Sequence, residues 1–382
     1  MMSRAKRTPF GDWWWSIDRL LLAAIAALTI GGIVLSLAAS PPVATRIGLD
    51  PFHFVNRHVF FLIPAAIVLL GTSMLSPRAV RRLALVMFAI SLALIVATLF
   101  FGAEIKGARR WIVLGGVNIQ PSEFVKPAFV VLISWLFAET ARRPEMPSNS
   151  MAIALLLSVI VPLVLQPDIG QTMLIALVWG SLFFMAGMRW IWVGGLGGAA
   201  VVGLVGAYFM VPHVTKRIRG FLDKGSTDTF NIDIALESFS RGGWFGTGPG
   251  EGTVKRMLPE SHTDFVFAVA GEEFGIMLCL ILLGLFAFIV LRSLGQAMRE
   301  EDAFCRFGVA GLAILFGTQS AINMAVNLHL MPAKGMTLPF ISYGGSSMIS
   351  LAYGMGMLLA LARNRPRAEL LGSGLAPAAG AA

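Results

Sequence analysis

Residues 20–39 read LLLAAIAALTIGGIVLSLAA, a run that contains no charged side chain. An apolar run of about 20 residues is long enough for an α-helix to cross the hydrocarbon core of a bilayer. Similar apolar runs follow at roughly 58–75, 83–102, 122–138, 151–166, 169–188, 191–211, 265–291, 307–330 and 344–362. The sequence therefore predicts an all-α polytopic membrane protein with about ten transmembrane helices.

The composition of the whole chain agrees with this prediction. Of the 382 residues, 56% are hydrophobic and 13% are charged, whereas a soluble domain has about 25% charged residues. This excludes a soluble globular enzyme, a disordered chain and a coiled coil. The net charge of +9 is not a sign of a nucleic-acid partner here, and Cys279 and Cys305 fit neither a disulfide framework nor a zinc site.

The positions of Lys and Arg predict the orientation of the chain. If the N-terminus is cytoplasmic, the cytoplasmic segments carry many more cations than the short outer loops, as the positive-inside rule requires. We therefore expect a cytoplasmic N-terminal segment at 1–19, a membrane domain at 20–362 and a disordered cytoplasmic tail at 363–382. We expect the first span to be retained, because its apolar stretch exceeds the ~7–15 residues of a signal peptide.

The segment 212–264 is the one long connection, and it is expected on the outer side between spans 7 and 8. Its basic residues cluster at 216–224 and at Lys255 and Arg256. These clusters fit a solvated loop or a contact with lipid headgroups, and they also fit a clamp for a phosphate-bearing ligand. The glycine-rich run 242–252 fits a flexible loop or an anion site built from backbone N–H groups.

Asp264 is the carboxylate at the boundary between this segment and the eighth span. One interpretation is a helix N-cap, because Asp accepts backbone N–H bonds where a helix starts. The other is a general base, because a carboxylate at this boundary meets both water and a lipid-borne substrate. His262 and Ser261 do not indicate nucleophilic catalysis, since no third group is evident to orient them.

Several ionisable residues are predicted at membrane depth. Glu123 and Lys126 are three residues apart, share a helix face and should pair when buried, and Asp168 could reach the same end of the bundle. They form either a structural ion network or the lining of a polar cavity that opens to the outer leaflet. The last outer turn, 331–347, combines Pro and Gly with Lys334, and irregular backbone at this depth must be buried in protein or line a cavity.

Taken together, these residues resemble the SEDS family of polytopic membrane proteins, the FtsW/RodA group, through nearly all ten spans. The segment KGMTLPFISY at 334–343 is typical of the FtsW branch. Asn231 and Ile234 stand where the family often has glutamine, so no role of those glutamines is carried over. The motifs that carry the resemblance are GARRW at 107–111, QPSEFVK at 120–126, QPDIG at 166–170, LPESHTDF at 258–265, GEE at 271–273 and LPFISYGG at 338–345.

The resemblance implies a peptidoglycan glycosyltransferase that polymerises lipid II on the outer face of the bacterial cytoplasmic (inner) membrane, at the division septum. The implied reaction joins the 4-hydroxyl of an acceptor GlcNAc to C1 of a donor MurNAc with inversion, and undecaprenyl pyrophosphate leaves. The implied partners are a class B penicillin-binding protein (a transpeptidase), other divisome membrane proteins and membrane lipids, with no nucleic acid.

This reaction needs a base for the hydroxyl proton and cations for the leaving pyrophosphate. Asp264 is the predicted base, and a divalent cation, Mg²⁺ or Mn²⁺, is a possible cofactor. Glu123, Lys126 and Asp168 are expected to shape the cavity. The residues predicted to bind substrate are Arg109, Trp111, Lys255, Arg256, His262, Thr263, Lys334, Ser342 and Tyr343.

Two other functions fit a polytopic protein with charges at membrane depth. A lipid II flippase needs a site that is reachable from both faces, whereas the unusual residues of this chain lie almost wholly on the predicted outer side. A non-catalytic divisome scaffold would tolerate replacement of Asp264 and of the basic clusters. The sequence therefore favours chemistry at the outer face over both alternatives.

Overall fold

The computed structural model describes residues 8–105, 108–114, 117–143, 145–187, 190–210, 215, 227–332 and 335–364. These residues form a bundle of helices with one small sheet and one 3₁₀ turn, Val254–Arg256. The helices are α1 (Pro9–Ser16), α2 (Arg19–Arg46), α3 (His53–Ser73), α4 (Pro77–Phe101), α5 (Pro121–Arg142), α6 (Ser148–Leu165), α7 (Ile169–Met185), α8 (Trp190–Met210), α9 (Thr227–Gly242), α10 (Val266–Arg299), α11 (Ala303–Asn327) and α12 (Gly345–Leu361).

Each predicted span coincides with one helix of the set α2–α8 and α10–α12. In the described part of the chain, seven helices are long and apolar enough to cross a membrane, and Ile169–Met185 and Gly345–Leu361 are shorter apolar helices. The prediction of a multi-pass helical membrane protein is confirmed. The number of ten membrane crossings stays a prediction.

Short polar side chains fix where several helices begin. Asp18 caps α2 by accepting bonds from the backbone N–H groups of Leu20 and Leu21 at 2.9 and 3.0 Å. Asp302 caps α11 by accepting from the N–H of Cys305 at 3.0 Å. Capping of this kind satisfies N–H groups that have no partner inside the helix.

Helices α5, α11 and α12 form the centre of the bundle. In α5, 89% of the apolar window lies inside the protein, compared with 72% in α11 and 28% in α3, α4, α6 and α10. A polar side chain on α5 or α11 is therefore surrounded by protein rather than by lipid, and must find its partners there.

The predicted outer connections contain more regular structure than the sequence analysis expected. Within 212–264, α9 is helical because Ile232, Ala235 and Phe239 recur at helical spacing and pack toward α10, where the rings of Phe239 and Phe267 are 5.7 Å apart. The Asp and Glu residues of α9 interrupt this short apolar pattern, so the sequence did not predict a helix here. The basic cluster at 216–224 and residues 365–382 of the predicted tail lie outside the described residues.

The connection between α4 and α5 is a three-stranded antiparallel sheet that corrects the all-α prediction locally. Its strands are β1 (Ala103–Ile105), β2 (Ala108–Leu114) and β3 (Val117–Ile119), in the order β1-β2-β3. Trp111 pairs with Ala103 in the register of one hairpin, and Ile112 pairs with Ile119 in the other. Two strand pairs this short lacked a strong alternating pattern in the sequence.

Helix α10 is interrupted at Gly275, whose φ is 77° and ψ is −178°. The glycine-rich run fills this break: Gly248 N–H donates to the Glu273 carbonyl at 3.1 Å, and Ile276 N–H donates to the Gly243 carbonyl at 2.9 Å. Gly246 has φ +83°, and a Cβ there would lie 2.1 Å from the Glu273 carbonyl oxygen. The run is therefore an ordered part of the fold that pairs backbone groups at the break, rather than a flexible loop.

Candidate functional site

Asp264 lies in an irregular turn directly before α10. The N-cap position of α10 is occupied by Phe265, and the N–H of Ala268 is satisfied from another helix, by Asn327 Oδ1 at 3.1 Å. The structure therefore contradicts the interpretation of Asp264 as the N-cap residue. Asn327 of α11, rather than Asp264, accepts a hydrogen bond from a backbone N–H in the first turn of α10.

The carboxylate of Asp264 faces the last outer turn. A Cβ built on Gly335 would lie 3.8 Å from Asp264 Oδ2. Asn323 joins the same two segments, because its Nδ2 donates to the Asp264 carbonyl at 3.0 Å and to the Met336 carbonyl at 2.6 Å. Lys334 itself lies outside the described residues, but its neighbour in sequence is beside the predicted base.

An aromatic cluster stands next to this turn. The ring of His262 stacks on Phe54 with centroids 4.5 Å apart, and Tyr343 lies 5.2 Å from Phe54 and 5.6 Å from His262. The N–H of Tyr343 also donates to the His262 carbonyl at 2.9 Å. Burial raises the pKa of the Tyr343 hydroxyl, and the positive charge of Arg57 opposes this shift. The structure thus brings together His262, Asp264 and Tyr343, which the sequence predicted as site residues.

Two hydroxyl groups from the predicted substrate-binding set take part in turns. Thr263 Oγ1 donates to the Glu260 carbonyl at 3.3 Å, and Ser342 Oγ accepts from the N–H of Leu338 at 2.8 Å. These bonds shape the turns on either side of Asp264. A direct role of Thr263 and Ser342 in binding substrate stays a prediction.

Lys255 has a structural environment that differs from the predicted one. Its side chain is 5% exposed, and its Nζ pairs with Glu273 and donates to the Ala38 carbonyl at 2.8 Å. The residue four positions after Ala38 is Pro42, which has no N–H, so the helix leaves this carbonyl without its usual partner. This position argues against Lys255 as a pyrophosphate ligand, because its ammonium is already buried and paired. Arg256 beside it is exposed.

Glu272 and Glu273 stabilise the fold near Asp264, a role that the sequence did not predict. Both are buried, and Glu272 accepts from the N–H groups of Val254 and Lys255 at 2.7 and 2.8 Å. Glu273 Oε2 accepts from Gly250 N–H at 3.0 Å. These two carboxylates hold the segment that leads to Asp264. Two adjacent glutamates at the start of a predicted span were the signal that could have revealed them.

The predicted pair of Glu123 and Lys126 is present in the centre of the bundle. Lys126 Nζ lies 3.0 Å from Glu123 Oε2 and donates to Gln319 Oε1 at 3.0 Å, and Gln171 donates to Glu123 Oε1 at 2.7 Å. Gln319 in turn donates to the Thr337 carbonyl at 3.2 Å. The pair is therefore linked by hydrogen bonds to the last outer turn, which the Asp264 carboxylate faces.

A pocket adjoins this ion pair, and most of its lining residues are apolar, among them Leu312, Leu315 and Leu351. The ion pair is present as predicted, whereas a polar-lined cavity stays a prediction. The pocket lining also includes Glu123, Lys126, Phe316, Gln319, Ser350 and Met355. Ser350 Oγ donates to the Glu123 carbonyl at 2.6 Å. The opening of this pocket toward the outer leaflet stays a prediction.

Asp168 pairs with Arg110, at 3.4 Å between Oδ1 and Nη1, and also accepts from Gln120 at 3.4 Å. Burial raises the pKa of the Asp168 carboxyl, and the charge of Arg110 opposes this shift. Arg110 also donates to the Pro167 carbonyl at 2.5 Å. Arg110 therefore ties the sheet to the turn between α6 and α7, a link that the sequence analysis did not assign.

Arg109 and Trp111 lie on β2. The side chain of Arg109 is 52% exposed and lies 3.5 Å from Glu104, while Trp111 is partly buried. The sheet meets the start of α12, because the N–H of Gln120 donates to Ser346 Oγ at 3.3 Å. An exposed guanidinium on this sheet is compatible with substrate binding, which stays a prediction.

Among the described residues, no group of three or more His, Cys, Asp or Glu side chains could hold a metal ion. Mg²⁺ is usually held by one or two carboxylates together with substrate phosphates rather than by the protein alone. Asp264 is one such carboxylate beside the last outer turn, and the expected divalent cation stays a prediction.

Comparison with known proteins places this geometry in a family. The family model FTSW_RODA_SPOVE, described as cell cycle protein, matches residues 18–367. The chain is 48% identical over 367 residues to a probable peptidoglycan glycosyltransferase FtsW of Caulobacter vibrioides, which covers 96% of this chain and 94% of the relative. It is 36% identical to a protein of the same description from Trichlorobacter lovleyi, over 93% of this chain and 95% of the relative.

Solved structures show the same fold. A chain from a structure on the coordination of polymerization and crosslinking by a peptidoglycan synthase complex has a TM-score of 0.76 and 28% identity, with 91% of this chain and 97% of that chain covered. The rod shape determining protein RodA of Thermus thermophilus has a TM-score of 0.65 and 27% identity, with the same coverage.

Proposed function

The chain belongs to the FtsW/RodA/SpoVE family of cell cycle proteins, and from this premise we propose that it is a peptidoglycan glycosyltransferase that polymerises lipid II during cell division. It is a multi-pass membrane protein, and its relatives of high identity are described as probable peptidoglycan glycosyltransferases FtsW. The observation that carries the proposal is the position of Asp264, beside the last outer turn and outside the N-cap position of α10.

In the proposed reaction, Asp264 takes the proton from the 4-hydroxyl of the acceptor GlcNAc. The hydroxyl oxygen attacks C1 of the donor MurNAc, and the bond from C1 to the pyrophosphate oxygen breaks with its electron pair. One displacement inverts an α donor to a β linkage, so no covalent intermediate with the protein is needed. Because the leaving group is an activated pyrophosphate, one base is sufficient, unlike the two carboxylates of inverting hydrolases.

Cations stabilise the negative charge that develops on the leaving pyrophosphate. The exposed side chains of Arg109 and Arg256, with Lys334 of the last outer turn, are the proposed ligands. Lys255 is withdrawn from this set, because its ammonium is paired with Glu273. We assign Lys255 the task of holding the segment that precedes Asp264.

We propose that both termini are cytoplasmic and that Asp264 faces the outer side of the inner membrane, at the division septum. The contact between the two ends of the chain supports a shared side: Arg363 Nε donates to Ser16 Oγ at 2.8 Å, and Asn364 N–H donates to the Ser16 carbonyl at 3.1 Å. Asp264 precedes α10, whereas Arg292 near the other end of α10 pairs with Asp18 at 2.8 Å. Asp18 and Asp264 are therefore at opposite ends of this helix, which supports a position of Asp264 on the side away from the N-terminal segment.

The proposed partner is a class B penicillin-binding protein, whose transpeptidase activity would crosslink the new strands. The likeness to a chain of a peptidoglycan synthase complex supports this proposal. Lipid II is the proposed substrate, and it would enter from the outer leaflet with its lipid tail between the helices.

The test is lipid II polymerisation by the purified full chain, with and without the transpeptidase partner. Asp264→Asn should lower the rate by about 10²–10⁴-fold, the usual contribution of a general base, while folding and partner binding persist. Asp233→Asn, an exposed carboxylate on α9, is the matched control and should keep the wild-type rate. Strand formation in detergent separates a polymerase from a flippase, because no transport is needed there. Full activity of folded, partner-bound Asp264→Asn would remove the assigned base.

A further inference from the structure

We propose that Asn323 and Asn327 of α11 are positioning residues for Asp264, holding the turn of the base against the last outer turn. The inference deepens the proposed function and rests on it. The two side chains act through the backbone of Asp264 rather than on the substrate itself.

The turn that carries Asp264 is neither helix nor strand. Within it, the N–H groups of Thr263 and Phe265 donate to the Glu260 carbonyl at 3.1 and 3.2 Å, and Ser261 Oγ donates to the Ala39 carbonyl of α2 at 3.1 Å. The Asp264 carbonyl receives two donors from α11, Asn323 Nδ2 at 3.0 Å and Asn327 Nδ2 at 2.9 Å. Because two side-chain amides of one helix donate to this carbonyl, its position is restrained in two directions.

The two asparagines also join this turn to its neighbours on both sides. Asn323 donates to the Met336 carbonyl at 2.6 Å, so it binds the last outer turn with the same amide group. Asn327 accepts from Ala268 N–H at 3.1 Å, so it fixes the first turn of α10. Hydrogen bonds to α11 therefore hold the three segments that meet around the proposed base, which are the Asp264 turn, the last outer turn and the first turn of α10.

Both asparagine side chains are buried, so they cannot exchange their protein partners for water. Asn323 is 2% exposed and Asn327 is 0% exposed, so their amide groups depend on these partners for hydrogen bonds. Asn327 also donates to the Asn323 backbone carbonyl at 2.9 Å, which fixes the Asn327 side chain against its own helix. Their spacing of four residues places both on one face of α11.

Gln319 extends the same face by one turn. It donates to the Thr337 carbonyl at 3.2 Å and accepts from Lys126 at 3.0 Å. Side-chain amides at 319, 323 and 327 therefore form a row along α11, which runs from the central ion pair to the Asp264 turn. Because α11 is largely buried, this row provides a rigid frame for a base that lies on an irregular segment.

The rate of a proton transfer depends strongly on the placement of the base, and a displacement of about 1 Å can cost 10²-fold. Asn323→Leu removes the donors to Asp264 and Met336 with little change in size. Asn327→Asp keeps an oxygen for Ala268 N–H and removes the donor to Asp264. Ser320→Ala is the matched control, since Ser320 is buried on the same helix and its hydroxyl donates to the Phe316 carbonyl of its own helix at 2.8 Å.

The experiment measures lipid II polymerisation by the purified full chain across a range of lipid II concentrations, together with thermal unfolding of each variant. Asn323→Leu and Asn327→Asp should each lower kcat by about 10–100-fold and leave KM within about two-fold. In the Asp264→Asn background, Asn323→Leu should add little further loss, because both changes act on one step. Ser320→Ala should keep the wild-type kcat.

A kcat within about two-fold of wild type in folded Asn323→Leu and Asn327→Asp would overturn the inference. Equal losses in Ser320→Ala would also overturn it, because they would show a general packing effect on α11. If Asn323→Leu does not fold, Asn327→Asp decides, since it keeps the acceptor for α10. A failure of wild-type polymerisation, or full activity of Asp264→Asn, would instead count against the proposed function.

Discussion

The buried ammonium of Lys255 satisfies a carbonyl that a proline leaves without a partner. Pro42 cannot donate to the Ala38 carbonyl, and Lys255 Nζ fills that place from the segment before Asp264 while it pairs with Glu273. Taking the ammonium away would leave both the carboxylate and the carbonyl unsatisfied inside the protein. At the scale of single residues, this contact ties the C-terminal part of α2 to the segment that leads to Asp264.

Lys255→Met should therefore destabilise the protein by about 3–5 kcal/mol, the usual cost of breaking one side of a buried ion pair. Combining it with Glu273→Gln should cost less than the sum of the two single changes, because the unpaired charge is then removed. Thermal unfolding of the purified variants measures both effects, with the exposed neighbour change Arg256→Met as control. Unchanged stability of Lys255→Met with a raised KM for lipid II would return Lys255 to the substrate-binding set.

The sequence could predict Asp264 as a candidate and the pair of Glu123 with Lys126, because both depend on local spacing and on the cost of charge at membrane depth. The sequence could not predict that the ammonium of Lys255 is buried and paired inside the protein. A lysine in a phosphate clamp and a lysine that satisfies a distant carbonyl have the same local pattern, and only the packing of α2 beside Val254–Arg256 tells them apart. The amides at 323 and 327 were missed for a related reason, since they recognise backbone atoms that no sequence motif marks.

At the scale of elements, the break in α10 and the glycine-rich run form one unit. Gly275 interrupts the helix, and the run from Gly242 onward supplies partners for backbone groups around the interruption. The spans were predictable because contact with lipid imposes a long apolar composition. The pairing of a glycine run with a broken helix was not, because glycines equally permit a flexible loop, an anion site or close packing.

Gly246→Ala tests this unit. Gly246 has φ +83°, and a Cβ would lie 2.1 Å from the Glu273 carbonyl oxygen, so the run must move away from α10. We expect a destabilisation of at least about 1–3 kcal/mol, together with loss of polymerisation because the segment that holds Asp264 is displaced. Thermal unfolding and the strand-formation assay measure the two effects.

Gly284→Ala is the matched control, since Gly284 lies in α10 beyond the break, with nothing within 4 Å of a new Cβ. This change should be neutral or stabilise by about 0.5–1 kcal/mol, because alanine favours helix. If Gly246→Ala were as stable and as active as Gly284→Ala, the glycine-rich run would not be needed to fill the break.

At the scale of the whole molecule, the function depends on which face of the membrane carries Asp264. Ser16 at the end of α1 and Arg363 after α12 are in contact, and Asp264 lies before α10, away from that contact. The positive-inside rule predicts that both termini are cytoplasmic. The proposed external substrate and external chemistry depend on this predicted orientation, so it should be measured directly.

Cysteine labelling in intact cells measures the orientation. In a background with Cys279→Ser and Cys305→Ser, Ser240→Cys on α9 should react with a membrane-impermeant maleimide, because this exposed position lies in the predicted outer segment. Ser150→Cys at the start of α6, also exposed, should react only after the cells are permeabilised, because it follows the predicted cytoplasmic cations Arg142 and Arg143. Both changes replace a serine by a side chain of similar size, so differences in reactivity report location. The reverse pattern would place Asp264 in the cytoplasm, where the proposed outer-leaflet chemistry could not occur.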